Sequence, residues 1–370
     1  MNSPTEPRKK RNGKKTLLRT LKWLLIAAAV LFLTNWIVGT VVAGKNQKKI
    51  DHFFEQVGAV SLGEYAGSGE NGEQFVGNGW YLYLGALSTL SRKTLNTVEE
   101  ELPEGERLTD EQVQNREAAL DGVHALLEEA RKAPYVMAVY NYRDPLSIDT
   151  PHNLEALSYA RLAVDSARFL AGAGNPEKGG ERLLDALTMT EGTMKLPTLI
   201  TAMVRQAAFE AVLKGLTEMI GDLPDPLLER LAKAIGATDL EESFAEGLVG
   251  EIFFHLAAWQ TLDYGDNLGV ADGERSGFEF PSLPVHALTS AFWELDKSVY
   301  LDLMLPMALE PSLENARRIK REAIPFYSVV AGLFIPSLEK GYLKHREVVS
   351  DQAAMLETLR LEIDRRGRAK

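Results

Sequence analysis

Between Trp23 and Ala43 the chain reads WLLIAAAVLFLTNWIVGTVVA, 21 residues without a charge. A helix rises about 1.5 Å per residue, so such a run covers the roughly 30 Å hydrocarbon core of a bilayer. No other stretch limits so sharply what the rest of the chain can be. A secretory signal carries a shorter apolar stretch, about 7–15 residues, ahead of a small-residue cleavage site. Val41-Val42-Ala43 before Gly44 fits such a site, but the length of the run fits a retained anchor, and the anchor is the reading adopted. Trp23 stands where an interfacial aromatic belongs.

Charge gives the orientation. Residues 1–22 carry Arg8, Lys9, Lys10, Arg11, Lys14, Lys15, Arg19 and Lys22 against Glu6 alone, a net of +7; Lys45, Lys48 and Lys49 follow the run. The excess of basic residues ahead of the span places the N-terminus in the cytoplasm and the remainder outside; the cytoplasmic membrane of a bacterial envelope is the simplest address, with a single-span protein of another membrane system as the alternative. The basic arm is read as a contact for anionic lipid headgroups. Subtracting that arm from the overall −11 leaves −18 on residues 23–370. A domain so acidic repels phosphate polyanions, which argues against nucleic acid as a partner. The chain has no cysteine, so disulfides, thiolate metal sites and a cysteine nucleophile are excluded.

Beyond the anchor the pattern is helical, with no sustained alternation of the strand kind. The fold class expected is all-α: a transmembrane helix followed by antiparallel helical hairpins. The divisions are a basic arm (1–22), the span (23–43), a juxtamembrane helix and Gly-rich loop (44–77), a hairpin domain (78–262), an acidic Gly-rich loop (263–284) and a C-terminal helical region (285–370). Thr109 and Gln112 form a capping-box pattern. Thr150-Pro151 and Asp225-Pro226 pair a capping side chain with a first-turn proline. Pro306 and Pro311 are expected to kink or break the helix over 285–305. Ala323–Ile335 is apolar but short for a span, which reads as a core helix.

Ala156, Ala160, Ala163, Ala167 and Ala171 recur at steps of four and three, one small-residue face that admits a second helix closely. With Gly174 in the turn and Gly179, Leu183 and Ala186 on the return, this stretch resembles a degenerate tetratricopeptide unit. As a whole, through AGNPEKGGERLLDAL and the tail VVAGLFIPSLEK…LETLRLEIDRR, the chain resembles uncharacterised bacterial single-span proteins with an all-helical extracytoplasmic body. The resemblance implies architecture and brings no catalytic motif.

Signs of chemistry are sparse. Gly67, Gly69 and Gly72 match G-x-G-x-x-G, but no strand precedes them and Glu70 and Glu73 would repel phosphate, so a loop is expected. Ser337-Leu338-Glu339-Lys340 matches S-x-x-K without its companion motifs and reads as a helix cap. Glu251 and His255 lie four apart on one helix face. They read as a polar pair at the core margin, or as two metal ligands or an acid–base pair awaiting a third group such as His286. His52 and Glu55 share an exposed face, and His124, His152 and His345 have no partner evident in the sequence. The loop 263–284 offers Asp263, Asp266, Asn267, Asp272 and Glu274, at spacings that miss the calcium-loop pattern, as a linker or partner-binding segment. Arg161, Asp165 and Arg168 form a surface charge set.

The function expected is a non-enzymatic binding or scaffold module, with the bilayer as partner through residues 23–43, an envelope protein as the second, and no cofactor. The rival readings are a metal-dependent or acid–base hydrolase using Glu251 and His255, and a purely structural self-associating envelope protein.

Overall fold

A computed structural model of the chain describes residues 13–66, 78–90, 109–134, 152–263, 283–319 and 338–368, with positions 136, 140, 142, 148, 324, 325, 328, 331, 332 and 335 between them. The protein is all-α, with no strand among the described residues. The helices are α1 (Gly13–Val57), α2 (Leu62–Tyr65), α3 (Trp80–Thr89), α4 (Asp110–Ala130), α5 (His152–Gly172) and α6 (Pro176–Thr193). They continue as α7 (Leu199–Met219), α8 (Asp225–Ala237), α9 (Leu240–Asp263), α10 (Leu283–Leu309), α11 (Leu313–Arg318) and α12 (Leu338–Arg368). The chain divides into two compact units. One comprises Met1–His52, Gln260–Asp302 and Ile324–Phe334; the other comprises Phe53–Trp259, Leu303–Ala323 and Ile335–Lys370.

In the first unit α1 is one continuous helix, where the sequence predicts a span followed by a separate juxtamembrane helix. Gly44 does not interrupt it: a lone glycine costs a helix only about 1 kcal/mol, less than the hydrogen bonds that continue through it. Its apolar stretch is the one helix among the described residues long and apolar enough to cross a membrane, and only 6 % of that window is buried by the fold.

The second unit is built on α5 and α6. Ala156, Ala160, Ala163 and Ala167 of α5 are fully buried. The small-residue face holds α6 so closely that a Cβ at Gly179 would stand 2.7 Å from the Ala167 carbonyl oxygen. The chain reverses between the two helices at Gly174, whose φ of +84° is open to glycine and strained for other residues. There the Asn175 amide bonds to the Leu170 carbonyl, and the Asn175 side chain accepts from the Lys178 N–H to start α6. α7 crosses the same face with Gly215 against Val164. Leu120, Leu127, Tyr159, Leu183, Phe209, Leu216, Leu228 and Leu359 form part of one continuous core to which α3 through α9 and α12 contribute.

The ends of these helices carry their own chemistry. Thr109 and Gln112 form the expected capping box: Gln112 Oε1 accepts the Thr109 N–H at 2.8 Å and Thr109 Oγ1 accepts the Gln112 N–H at 3.3 Å. Asp225 does not cap α8 as its sequence suggests. Pro224 occupies the capping position with no side-chain bond, and Asp225, already helical, accepts from Arg366 at 3.2 Å. Arg366 also donates to the carbonyls of Ile220, Gly221 and Leu223 at the end of α7. Gln352 of α12 does the same for α8, donating to Ile235 and Thr238 at 2.8 and 2.7 Å. α10 runs through Pro306 and breaks after Leu309, between the two prolines that marked an interruption there, and Asn315 Nδ2 donates to the carbonyls of Pro306 and Glu310. Thr150-Pro151, the Gly67–Gly72 motif, Ser337 and most of Ala323–Ile335 lie outside the described residues.

Candidate functional site

Glu251 and His255 are brought together as their spacing requires, His255 Nε2 standing 3.7 Å from Glu251 Oε1 on α9. What lies against them is the start of α7. Gly250 leaves no room for a side chain, since a Cβ would collide with the Pro197 carbonyl, and a Cβ at Gly247 would stand 3.0 Å from that of Thr198. This close approach lets Glu251 Oε2 accept the backbone N–H of Leu199, the first residue of α7, at 3.2 Å. A carboxylate at a helix N-terminus satisfies an amide that has no intrahelical acceptor and faces the positive end of the dipole. Burial pushes the Glu251 carboxyl above the usual carboxylate range, and the Leu199 bond offsets part of that. Burial also brings the His255 imidazole down to about 4, so it is neutral at pH 7. The geometry therefore gives Glu251 a structural task. Among the described residues no group of three or more His, Cys, Asp or Glu side chains is placed to hold a metal. The side chains of His286, Asp263, Asp266, Asn267, Asp272 and Glu274 lie outside the described residues.

A second polar cluster has no counterpart in the sequence reading. Asp185 of α6 sits 2 % exposed in the core. Its Oδ2 lies 3.0 Å from His124 Nδ1 and 3.2 Å from Arg182 Nη1, and its Oδ1 lies 2.9 Å from Arg131 Nη1. Arg182 reaches on to Glu117 Oε2 through Nη2 at 2.6 Å and Nε at 3.0 Å, and Lys178 Nζ joins the same oxygen at 3.1 Å. Tyr159 of α5, fully buried, places its hydroxyl 3.2 Å from His124 Nδ1. Burial raises the Glu117 carboxyl, but the Arg182 hydrogen bonds outweigh it and hold the group below the usual carboxylate range. Burial, then the Asp185 charge, pushes the Tyr159 phenol well up. The signal was present in the spacing. Glu117, His124 and Arg131 recur at sevens on α4 and its C-cap, and Lys178, Arg182 and Asp185 at four and three on α6, two complementary faces. An aspartate beside a histidine can orient an imidazole as a base. Here, however, the outer nitrogen Nε2 is buried with no hydrogen-bond partner among the described residues, so it meets no nucleophile there. The cluster welds α4, α5 and α6 together.

The third feature opens to solvent. A cleft of about 360 Å³ lies between the α6–α7 connection, α7 and the α8–α9 connection, and its charged lining is Glu191, Lys195, Arg205, Asp239, Glu242 and Glu246. Arg205 is engaged, its fork on Glu191 at 3.1 and 2.5 Å. Lys195 and Glu246 make no hydrogen bond or ion pair among the described residues. The crowding of protein round the Lys195 ammonium lowers its pKa, although the residue as a whole is exposed. Desolvation raises that of Glu246, with Glu242 adding to it. Desolvated ionisable side chains lining a cleft make it a candidate site. Four carboxylates against two cations give the cleft a negative balance of charge.

His345 and the surface set complete the inventory of expected residues. His345 has a partner after all, its ring stacked on Phe244 with centroids 4.3 Å apart. Arg168 pairs with Asp165 at 3.4 Å and with Glu218 on α7 at 2.6 Å, a solvated network that also bridges two helices. His52 and Glu55 are exposed on α1.

No protein-family model, curated protein or solved structure matches this chain.

Proposed function

We propose that the protein is a membrane-anchored, extracytoplasmic helical binding module, tethered in the cytoplasmic membrane by residues 23–43 with its N-terminus in the cytoplasm. The observation that carries this reading is the uncovered apolar surface of α1: Trp23, Leu24, Leu25 and Leu31 are exposed by 62–71 %. Such a surface is costly in water and suited to lipid. The body outside is a set of antiparallel helical hairpins of the degenerate tetratricopeptide kind, supported by the alanine face of α5 and the reversal at Gly174. Stacked helix pairs of that kind offer broad binding faces. The acidic cleft around Lys195 and Glu246 is the face offered to an envelope partner, and a basic segment is the chemistry it fits. Two observations favour this over turnover: Glu251 is occupied in starting α7, and His124 is enclosed.

The test has two arms. Protease added to intact spheroplasts digests residues 44–370 while the protein stays with membranes after carbonate extraction; a protected body or a released protein overturns the anchored reading. Gentle cross-linking of the native protein recovers one reproducible partner, and a Glu242→Lys, Glu246→Lys variant loses it. Repeated failure to recover one removes the binding reading. The Glu251–His255 contact sustains one rival, a hydrolase using that pair, which metal analysis addresses below.

A further inference from the structure

Within the first unit, α1 and α10 are joined by side chains that fix their relative direction. Asn46 Nδ2 donates to the backbone oxygen and to Oε2 of Glu294, both at 2.8 Å. One turn on, Lys49 Nζ reaches Ser298 Oγ at 3.0 Å and Asp302 Oδ1 at 2.7 Å. Higher numbers on one helix meet higher numbers on the other, so the two run parallel. A covered stripe runs along α1: Asn35, Gly39, Val42, Ala43, Asn46, Lys49 and Ile50 are buried or half-buried at helical spacing, while Trp36, Ile37, Val38 and Val41 remain exposed.

At about 1.5 Å per residue on both helices, Leu283 stands about 16 Å before Glu294, level with residue 35 of α1. Over this interval α10 is, like its neighbour, without a formal charge, with His286, Thr289 and Ser290 its polar members. From Phe280 to Trp293 there is no Asp, Glu, Lys or Arg, and the charges begin at Glu294, Asp296 and Lys297. On α1 they begin at Lys45, Lys48 and Lys49. Both helices therefore turn from apolar to charged at one level. At that level Phe292 is 58 % exposed, beside Trp293, where interfacial aromatics gather.

We infer that the first half of α10, Leu283–Phe292, is a second membrane-contacting helix that enters the outer leaflet alongside α1. The inference rests on the anchored reading above and adds to it: the first unit meets the membrane through two helices, not one. An isolated span is free to rotate about its own axis relative to what it carries. A second helix seated in the leaflet removes that freedom from the first unit.

The chain has no cysteine, so single introduced thiols report without background. Nitroxide labels are placed one at a time from Val285→Cys to Phe292→Cys in the full chain, reconstituted in phosphatidylcholine–phosphatidylglycerol vesicles, with Leu33→Cys and Asp302→Cys as references. Collisions with oxygen and with a water-soluble nickel chelate are then compared. The expected result is several-fold oxygen preference at Phe292→Cys and at positions three or four residues before it, shallower than Leu33→Cys, with Asp302→Cys open to nickel. If Leu33→Cys lies in lipid while every position from 285 to 292 meets nickel, or is shielded from both reagents, the second contact is refuted and the anchor stands. If Leu33→Cys itself meets nickel, the anchor fails and this inference fails with it.

Discussion

Arg182 on α6 and Glu117 on α4 are 65 positions apart, yet the guanidinium of one donates two bonds of 2.6 and 3.0 Å to a single carboxylate oxygen of the other, both side chains being buried. An interior ion pair adds little stability against an apolar pair of the same shape, but breaking it strands a charge. Arg182→Ala should cost about 3–5 kcal/mol in urea unfolding of the folded domain. Arg182→Met combined with Glu117→Leu should cost markedly less than Arg182→Ala alone. Equal losses in the two variants would show that the pair does not act as a unit.

Acid should weaken the fold through His345. Burial against Phe244, with Arg346 adding to it, lowers its pKa from 6.5 to about 4. Between those values the unfolded chain binds a proton that the folded chain refuses, so this contribution is complete above pH 6.5 and is lost as pH falls toward 4. A shift of that size corresponds to about 3 kcal/mol. Chemical denaturation at pH 7 and pH 5 should show the loss; His255, lowered likewise to about 4, contributes in the same window, so His345→Phe should reduce the difference by about half. An unchanged slope in that variant would refute the assignment.

Two helix-interior glycines should respond in opposite senses to alanine. Gly122 on α4 has nothing within 4 Å of a built Cβ, whereas at Gly250 the Cβ would strike the Pro197 backbone. Gly122→Ala should stabilise by about 0.5–1 kcal/mol through helix propensity. Gly250→Ala should destabilise by about 1–3 kcal/mol or more, because a carbonyl cannot rotate away as a side chain can. Thermal melts of the two variants side by side decide the point.

Glu251→Ala removes the acceptor at the start of α7 and should lower stability by about 1 kcal/mol, as loss of a helix cap does. Elemental analysis of the purified protein tests the same residues as ligands. The expected outcome is no stoichiometric transition metal and no change on His255→Ala. A metal lost on that substitution would establish the hydrolase reading as the better one.

Lys195 should be the most readily modified lysine of the folded domain. Its lowered pKa leaves more free amine at pH 8 than an ordinary lysine has. Limited trinitrobenzenesulfonate labelling followed by peptide mass spectrometry should place it first, and Glu246→Gln should preserve that order. Labelling no faster than at Lys233 would refute the shift.

Much of the architecture was written in local patterns. The capping box at Thr109 and Gln112, the alanine face of α5 and the turn at Gly174 each depend on residues within a few positions, and the structure keeps all three. Asp225 misled because a capping residue followed by proline is a local signal, whereas Arg366 recruits its carboxylate from 141 positions away. Pro306 and Pro311 bracket the place where α10 ends, at Leu309, and Asn315 takes up carbonyls there. The Glu251–His255 pair was legible from a spacing of four, but the task of Glu251 was not, because Leu199 reaches it only through the packing that Gly247 and Gly250 allow. The buried cluster was half legible: each helix showed its charged face, and only the fold brings Glu117 to Arg182.

The clasp formed by Arg366 sets an order of events. The carbonyls it holds belong to a corner made some 140 positions earlier, and Val348, Met355 and Leu359 of the same helix complete the core beneath. Contacts so distant along the chain form late. A polypeptide emerging from its amino end therefore shows water the unfinished flank of α7 and α8 until α12 arrives, and that interval is when a holding chaperone would find it.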